Sequence, residues 1–305
     1  MRRNRLITRF IIAAALAAVW GTAALAQTPA ATNPAAAYAV GKGPEGVASD
    51  GANVWVANQF SDTVSKLSAS GAALGSYPVG RRPLAVAFDG NFVWVANYLG
   101  DNVMRLDPAT GAVVGTYAVG EGPGGLLAAG GNVWVANRRS NTVTKLRASD
   151  GMTLGTYEVG SRPIALATDG ANVYVTNYDS DTVTKLSATN GVTLGTFRVG
   201  DGPFGIAFDG AAVWVANFGD SNVMKLSADG SVAGTFKVGD GPLAAAHSGG
   251  VIYVVNNGGN SVSMLRAGDG SDAGTFAVER SPVGLAVSGS GVWVTNSGSS
   301  SVTRR

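Results

Sequence analysis

From Val40 onward the chain alternates short apolar runs with polar punctuation, on a beat of 39 or 40 residues. Each unit opens with Val-Gly-x-x-Pro or a close variant, at Val40, Val79, Val119, Val159, Val199, Val238 and Val278. After the proline comes an apolar run such as "PLAVAF", then an Asp-Gly or Gly-Gly pair suited to a tight hairpin. A second run, "VWVAN", follows, then a period-2 segment such as "TVTKL", then a Gly-containing loop and "GTYAV" or "GTFRV". Each unit thus predicts four short strands, and helical periodicity is confined to the leader.

Four strands in about 40 residues, repeated, predict a β-propeller of the all-β class. The count gives seven blades. The residue two beyond each proline is Gly46, Ala85, Gly125, Ala165, Gly205, Ala244 or Gly284. Small residues suit a first strand that lines a crowded axis. The last unit has only 28 residues and stops after its third strand. Its missing outer strand should read like "TYAVG", and residues 37–41 read "AYAVG". The N-terminal segment is therefore expected to complete blade 7 and leave no open seam.

Residues 1–26 carry four arginines and no acid, then an apolar stretch and an Ala-x-Ala site before Gln27. They read as a secretory signal peptide. Residues 27–36 read as a Pro/Ala linker and 37–305 as the propeller. The full chain has a formal charge of +2, but losing four arginines leaves 18 basic against 20 acidic residues. A net −2 gives no support for general binding to nucleic acid or anionic membranes. Cysteine is absent, which excludes disulfides, lipoprotein attachment and thiolate metal sites. A periplasmic or secreted monomer is expected, with no transmembrane anchor after cleavage and no cofactor.

The stretch Tyr174-Val175-Thr176-Asn177 resembles the signature of the YVTN β-propeller repeat family, and the likeness runs through all seven units. The wider group includes streptogramin B lyases and propeller lactonases, and openings such as "GPEGVA" resemble the lyase repeats. The resemblance implies an exported propeller. The lyases use histidines with a glutamate and a magnesium ion. This chain has one histidine, so that chemistry transfers to no residue here.

In a sevenfold repeat, what recurs in every blade is structural, and function should break the symmetry. Asn58 and its six equivalents recur and are expected to satisfy backbone groups of the following turn. Trp55, Trp94, Trp134, Trp214 and Trp293, with Tyr174 and Tyr253, should fill the gaps between blades. The Asp-Gly pairs read as turns. Lys66, Arg105, Lys145, Lys185 and Lys225 read as surface residues with solvated ends. His247 sits at the far end of a first strand, without a second histidine for a metal cluster.

The Val-Gly-x-x-Pro loops and the loops after each Asn should ring one mouth of the channel, and there the blades differ. Blades 2 to 4 gather Arg81, Arg82, Arg138, Arg139 and Arg162 with Tyr98 and Tyr178. Guanidinium forks beside aromatic planes suit an anionic glycan, peptide or small molecule. The first expectation is accordingly a non-enzymatic binding or scaffold protein. The alternative is a divalent-metal-dependent hydrolase or lyase, with Glu45, Asp201 and Asp240 holding the ion in the channel. A further alternative is single-stranded nucleic acid on the Arg/Tyr sector.

Overall fold

The computed structural model describes residues 36–289 and 291–305. The leader and the linker, apart from Ala36, lie outside the described residues. Seven antiparallel four-stranded sheets follow one another along the chain, as the repeat predicts. In blade 1 the strands run Pro44–Ser49, Asn53–Asn58, Thr63–Ser68 and Ala73–Pro78, from the axis outward. Each inner strand packs on the inner strand of the next blade, and the ring closes where Pro44–Ser49 meets Pro282–Ser288. The axis is tight: a Cβ on Gly46 would lie 2.7 Å from the Ala85 Cα of the neighbouring blade. Among the described residues no helix is long and apolar enough to cross a membrane.

Blade 7 takes its outer strand from the other end of the chain. Ala36–Ala39 pairs antiparallel with Ser301–Arg304, with Tyr38 opposite Val302. The Tyr38 ring lies 6.0 Å from Trp293 at a 36° tilt. Trp134 and Tyr157 in blade 4's neighbour show the same arrangement, at 6.0 Å and 34°. Tyr38 also packs over Gly71 of blade 1, as Tyr77 packs over Gly111. The closing strand therefore joins its own sheet and the next blade.

The core lies between blades. Trp55 packs with Val86, Val93, Val95 and Leu106 of blade 2, and corresponding clusters recur around the ring. The indole N–H still needs an acceptor when buried. Asp50 supplies it to Trp55 at 2.8 Å, and Asp89 and Asp209 supply Trp94 and Trp214 at 2.7 Å. These Asp side chains also accept the backbone N–H groups of their own turns, so the Asp-Gly pairs are turns.

Two sequence expectations need correction. The recurrent Asn side chains are buried, but they do not cap the following backbone. Asn58 Nδ2 donates to Thr63 Oγ1 and Ser65 Oγ on the third strand, and Asn177 does the same to Thr182 and Thr184. The third-strand cations are not solvated surface residues either. Each stands opposite an aromatic in the register, as Lys145 does opposite Trp134, with Nζ 4.9 Å from the ring centroid. Lys145 then donates to Ala188 O at 2.8 Å and Thr189 O at 3.0 Å in the next blade. Lys66, Arg105, Lys185 and Lys225 make equivalent cross-blade bonds. A long stem reaches carbonyls that the neighbouring turn leaves free, so these residues tether blades.

Candidate active site

The two loop sets form one mouth. Gln59 N donates to Gly43 O, Tyr98 N to Arg82 O, Arg138 N to Gly122 O and Tyr178 N to Arg162 O, all within 3.0 Å. The inner strand's register shifts just after the proline in every blade. Such an irregularity re-aims the side chains that follow it. The residues after the prolines consequently surround a cavity of about 210 Å³ on the axis. Its lining is Gly, Ala, Val, Leu, Ile and Phe204, with two charged side chains, Glu45 and Arg138.

Glu45 is held at both ends. Its backbone carbonyl accepts from Thr295 Oγ1 of blade 7 at 2.6 Å, and the same hydroxyl receives the Gly284 N–H at 2.7 Å. Its carboxylate Oε1 accepts from Gln59 Nε2, and Gln59 Oε1 accepts from Arg82 Nε at 3.3 Å. Burial pushes the carboxyl up to about 7, against the pull of Arg138, Arg82 and the Gln59 bond. The carboxylate joins no ion pair among the described residues. An acid that exchanges its proton near neutrality therefore faces an open lumen.

Arg138 reaches the same lumen because blade 3 makes room for it. The residue after proline is Glu45, Leu84, Ile164, Phe204, Leu243 or Val283 in the other blades, but Gly124 in blade 3. A Cβ at Gly124 would collide with the Arg138 guanidinium. Arg138 Nη2 donates to Gly124 O at 3.2 Å, and its Cζ lies 5.8 Å from the Phe204 ring centre. Its Nε is buried with no protein partner. Burial lowers the guanidinium to about 10, so it is cationic at neutral pH.

Arg82 and Arg162 flank this pair, with Cζ 5.2 Å from the Tyr98 ring and 4.8 Å from the Tyr178 ring. Tyr178 meets Phe204 edge-on at 6.0 Å. Arg162 also pairs with Asp179 at 3.6 Å. Of the seven residues expected at the site, the structure thus gathers Arg82, Tyr98, Arg138, Arg162 and Tyr178. Arg139 is turned outward to Glu121 at 3.4 Å, and Arg81 is exposed on the outer rim. Asp201 and Asp240 are exposed on outer loops, against Gly219 and Gly258. No three His, Cys, Asp or Glu side chains converge among the described residues. The donor set expected for a divalent ion, Glu45 with Asp201 and Asp240, therefore does not fit one. His247 lies at the hairpin end of Pro242–Ser248, away from the mouth.

Three participants escaped the sequence reading. Gln59 occupies the same place as Tyr98, Arg138 and Tyr178, directly after the repeated Asn, and that equivalence was the available signal. Thr295 and Thr176 stand where most blades have Ala, and Thr176 Oγ1 donates to Phe204 O at 2.7 Å. The two threonines hold the backbone of Glu45 and Phe204 across blade boundaries.

The chain matches no protein-family model, and no curated protein matches it. Solved structures share its fold. The virginiamycin B lyase of Staphylococcus aureus superposes with a TM-score of 0.77 at 17% identity, covering 88% of this chain and 98% of that one. A streptogramin B lyase gives a TM-score of 0.77 at 17% identity, with 88% and 96% covered. The hydrazine synthase of Kuenenia stuttgartiensis gives 0.77 at 18% identity, with 92% and 98% covered. Likeness at this level of identity shows the fold, a seven-bladed propeller of the kind these lyases have. All three bear the names of enzymes. Together with the poised acid in the channel, this corrects the expectation of a non-enzymatic binding or scaffold protein.

Proposed function

We propose that the chain is a lyase or hydrolase acting at the channel mouth, with Glu45 as the proton carrier and Arg138 as its electrostatic partner. The observation that carries this is the Glu45 carboxyl, raised to about 7 and facing the lumen. A general base works best when its proton affinity matches the operating pH. The virginiamycin B and streptogramin B lyase names of two structural neighbours favour elimination over hydrolysis.

In the elimination, ionised Glu45 takes a proton from carbon next to a carbonyl. The C–H electron pair forms the new double bond, and the bond to the leaving group breaks with its pair. Glu45 returns the proton to the leaving group. Charge developing on the carbonyl oxygen is stabilised by the Arg138 guanidinium, which lines the lumen and is cationic at neutral pH. Gln59 fixes the carboxylate's orientation and Thr295 fixes its backbone. The apolar lining keeps the guanidinium field strong. No step is assigned to a metal, because the acidic residues do not converge.

The test begins with virginiamycin B and extends to lactones and β-substituted carbonyl compounds, with products read by mass spectrometry. Turnover by the wild type and a loss of about a hundredfold or more in Glu45→Gln would support the reading. Turnover undiminished in Glu45→Gln, or none with any compound, would refute it. The leader at 1–26 supports export to the periplasm or medium, and the Tyr-Val-Thr-Asn stretch supports kinship with the YVTN propellers. An exported chain beginning at Gln27 would test the first of these.

A further inference from the structure

We propose that the substrate carries a carboxylate, seated on an arc of Arg82, Arg138 and Arg162, with its flat or apolar body against the aromatic rim of the mouth. This rests on the catalytic reading only in calling the bound molecule a substrate. The anion site itself stands on separate observations.

The first is backbone strain. The residue before each proline adopts a left-handed conformation in all seven blades, with φ between 51° and 64°. Gly43, Gly122, Gly202 and Gly241 meet this requirement without cost, and Ser281 is a small exception. Blades 2 and 4 instead carry Arg82 at φ 54° and Arg162 at φ 55°. A long side chain in this region is disfavoured, and such outliers gather where function needs them. The two stand on either side of the blade that supplies Arg138.

The second is the exchange in blade 3. That blade forgoes the side chain the others send to the lumen and fills the space with Arg138. Arg138 thereby puts a positive charge on the lumen wall, where every other blade but the first presents an apolar side chain. The third is the disposition of the flanking guanidiniums. Each lies on a tyrosine face, Arg82 with Nε given to Gln59 and Arg162 with Nη1 beside Asp179, and the remaining N–H groups can meet an oxyanion.

Charge and shape narrow the class. Three guanidiniums meet Glu45 inside and Asp179 outside, an excess that suits a single negative charge better than a phosphate dianion. Beside Arg82 the rim carries two exposed apolar side chains, Phe60 at 66% and Leu99 at 41%, among Gln59, Asp62 and Arg81. A carboxylate on an aromatic or apolar body satisfies both halves.

Benzoate is the probe, with benzamide as its uncharged counterpart and inorganic phosphate as the competing oxyanion, measured by titration calorimetry. The wild type should bind benzoate at least about tenfold more tightly than benzamide. The double variant Arg82→Gly/Arg162→Gly should weaken benzoate by about tenfold or more. It should fold, because glycine is native at this position in four other blades. Arg139→Gln/Arg198→Gln removes the same charge from side chains turned away from the groove, on Glu121 and on the outer strand Thr193–Arg198, and should leave binding within about twofold. Equal binding of benzoate and benzamide would overturn the proposal. So would equal weakening by both double variants, or phosphate binding more tightly than benzoate. Glu45→Gln separates the two readings, since it should abolish turnover yet retain benzoate. Glu45-dependent turnover without benzoate binding would sink the anion site alone. Benzoate binding with turnover indifferent to Glu45 would sink the catalytic reading alone.

Discussion

Glu45→Gln should change how the protein's stability depends on pH. In the folded state burial raises the carboxyl from 4.5 to about 7, with Arg138, Arg82 and Gln59 opposing. The unfolded chain releases the proton near the ordinary value. The folded pKa is the higher one, so the group's contribution is fully present below about pH 4.5 and is lost as pH rises through about 7. A rise of that size corresponds to roughly 3 kcal/mol. The side chain keeps one face toward lumen water, and screening lowers the figure to about 1–3 kcal/mol. Glutamine keeps the shape and does not titrate. The difference in unfolding free energy between variant and wild type should therefore grow in the variant's favour by that amount across the window, then level off. Urea unfolding of both proteins, followed by tryptophan fluorescence, gives the difference at each pH. The catalytic pH profile should show a limb at the same place, because the profile of kcat/KM reports the free enzyme's base. A difference that stays flat with pH would mean that Glu45 titrates like an exposed glutamate, and the proposed catalyst would lose its basis.

Deleting Ala36–Ala39 should lower the unfolding free energy by several kcal/mol, since it removes four ladder positions and the Tyr38 contact with Trp293 and Gly71; an unchanged Tm would refute the closure. Lys145→Met should cost about 1.5–3 kcal/mol in denaturant titration by removing two charged bonds across a blade boundary, whereas Arg139→Gln should cost under about 1 kcal/mol. Thr295→Val should cost about 1–3 kcal/mol by leaving the Glu45 carbonyl and the Gly284 N–H without their shared partner, and any kcat measured should fall with it. At positions 82 and 162 the glycine variants should be more stable than the alanine variants by about 1 kcal/mol per site, because alanine keeps the left-handed strain that glycine removes; equal melting curves would count against the strain argument.

The tethering lysines bear on how a charge control is chosen. Lys66, Lys145 and Lys185 look from sequence like interchangeable surface charges, suited to testing whether bulk charge explains anion binding. Their bonds to Pro108, Ala188, Thr189 and Ala228 of neighbouring blades make them part of the frame. Neutralising them would confuse loss of structure with loss of field. Arg139 and Arg198 are the appropriate control, because Arg139 turns out to Glu121 and Arg198 is exposed on the outer strand Thr193–Arg198.

The sequence by itself determined the architecture. Strand propensity, Asp-Gly turns and the small residues beyond each proline are local signals, and sevenfold repetition amplifies each until blade number, strand order and the closing role of Tyr38 are legible. It also located the mouth and the blades where symmetry breaks, since departures from a repeat can be read off one chain. Tertiary structure decided what those departures mean. Arg138 and Arg139 are adjacent and chemically alike, yet one enters the lumen over Gly124 and the other turns out to Glu121. Glu45, Asp201 and Asp240 are all acids at the same mouth, yet Glu45 follows its proline on the inner strand and lines the lumen, while Asp201 and Asp240 precede theirs and stay in solvent. The proton affinity of Glu45 depends on burial and on Arg138, Arg82 and Gln59 from three blades, and its backbone is held by Thr295, 250 residues away at the boundary where the two ends of the chain meet. Repetition encodes what each blade shares, whereas direction, burial and charge at a unique residue arise from contacts between blades, which only the closed ring brings together.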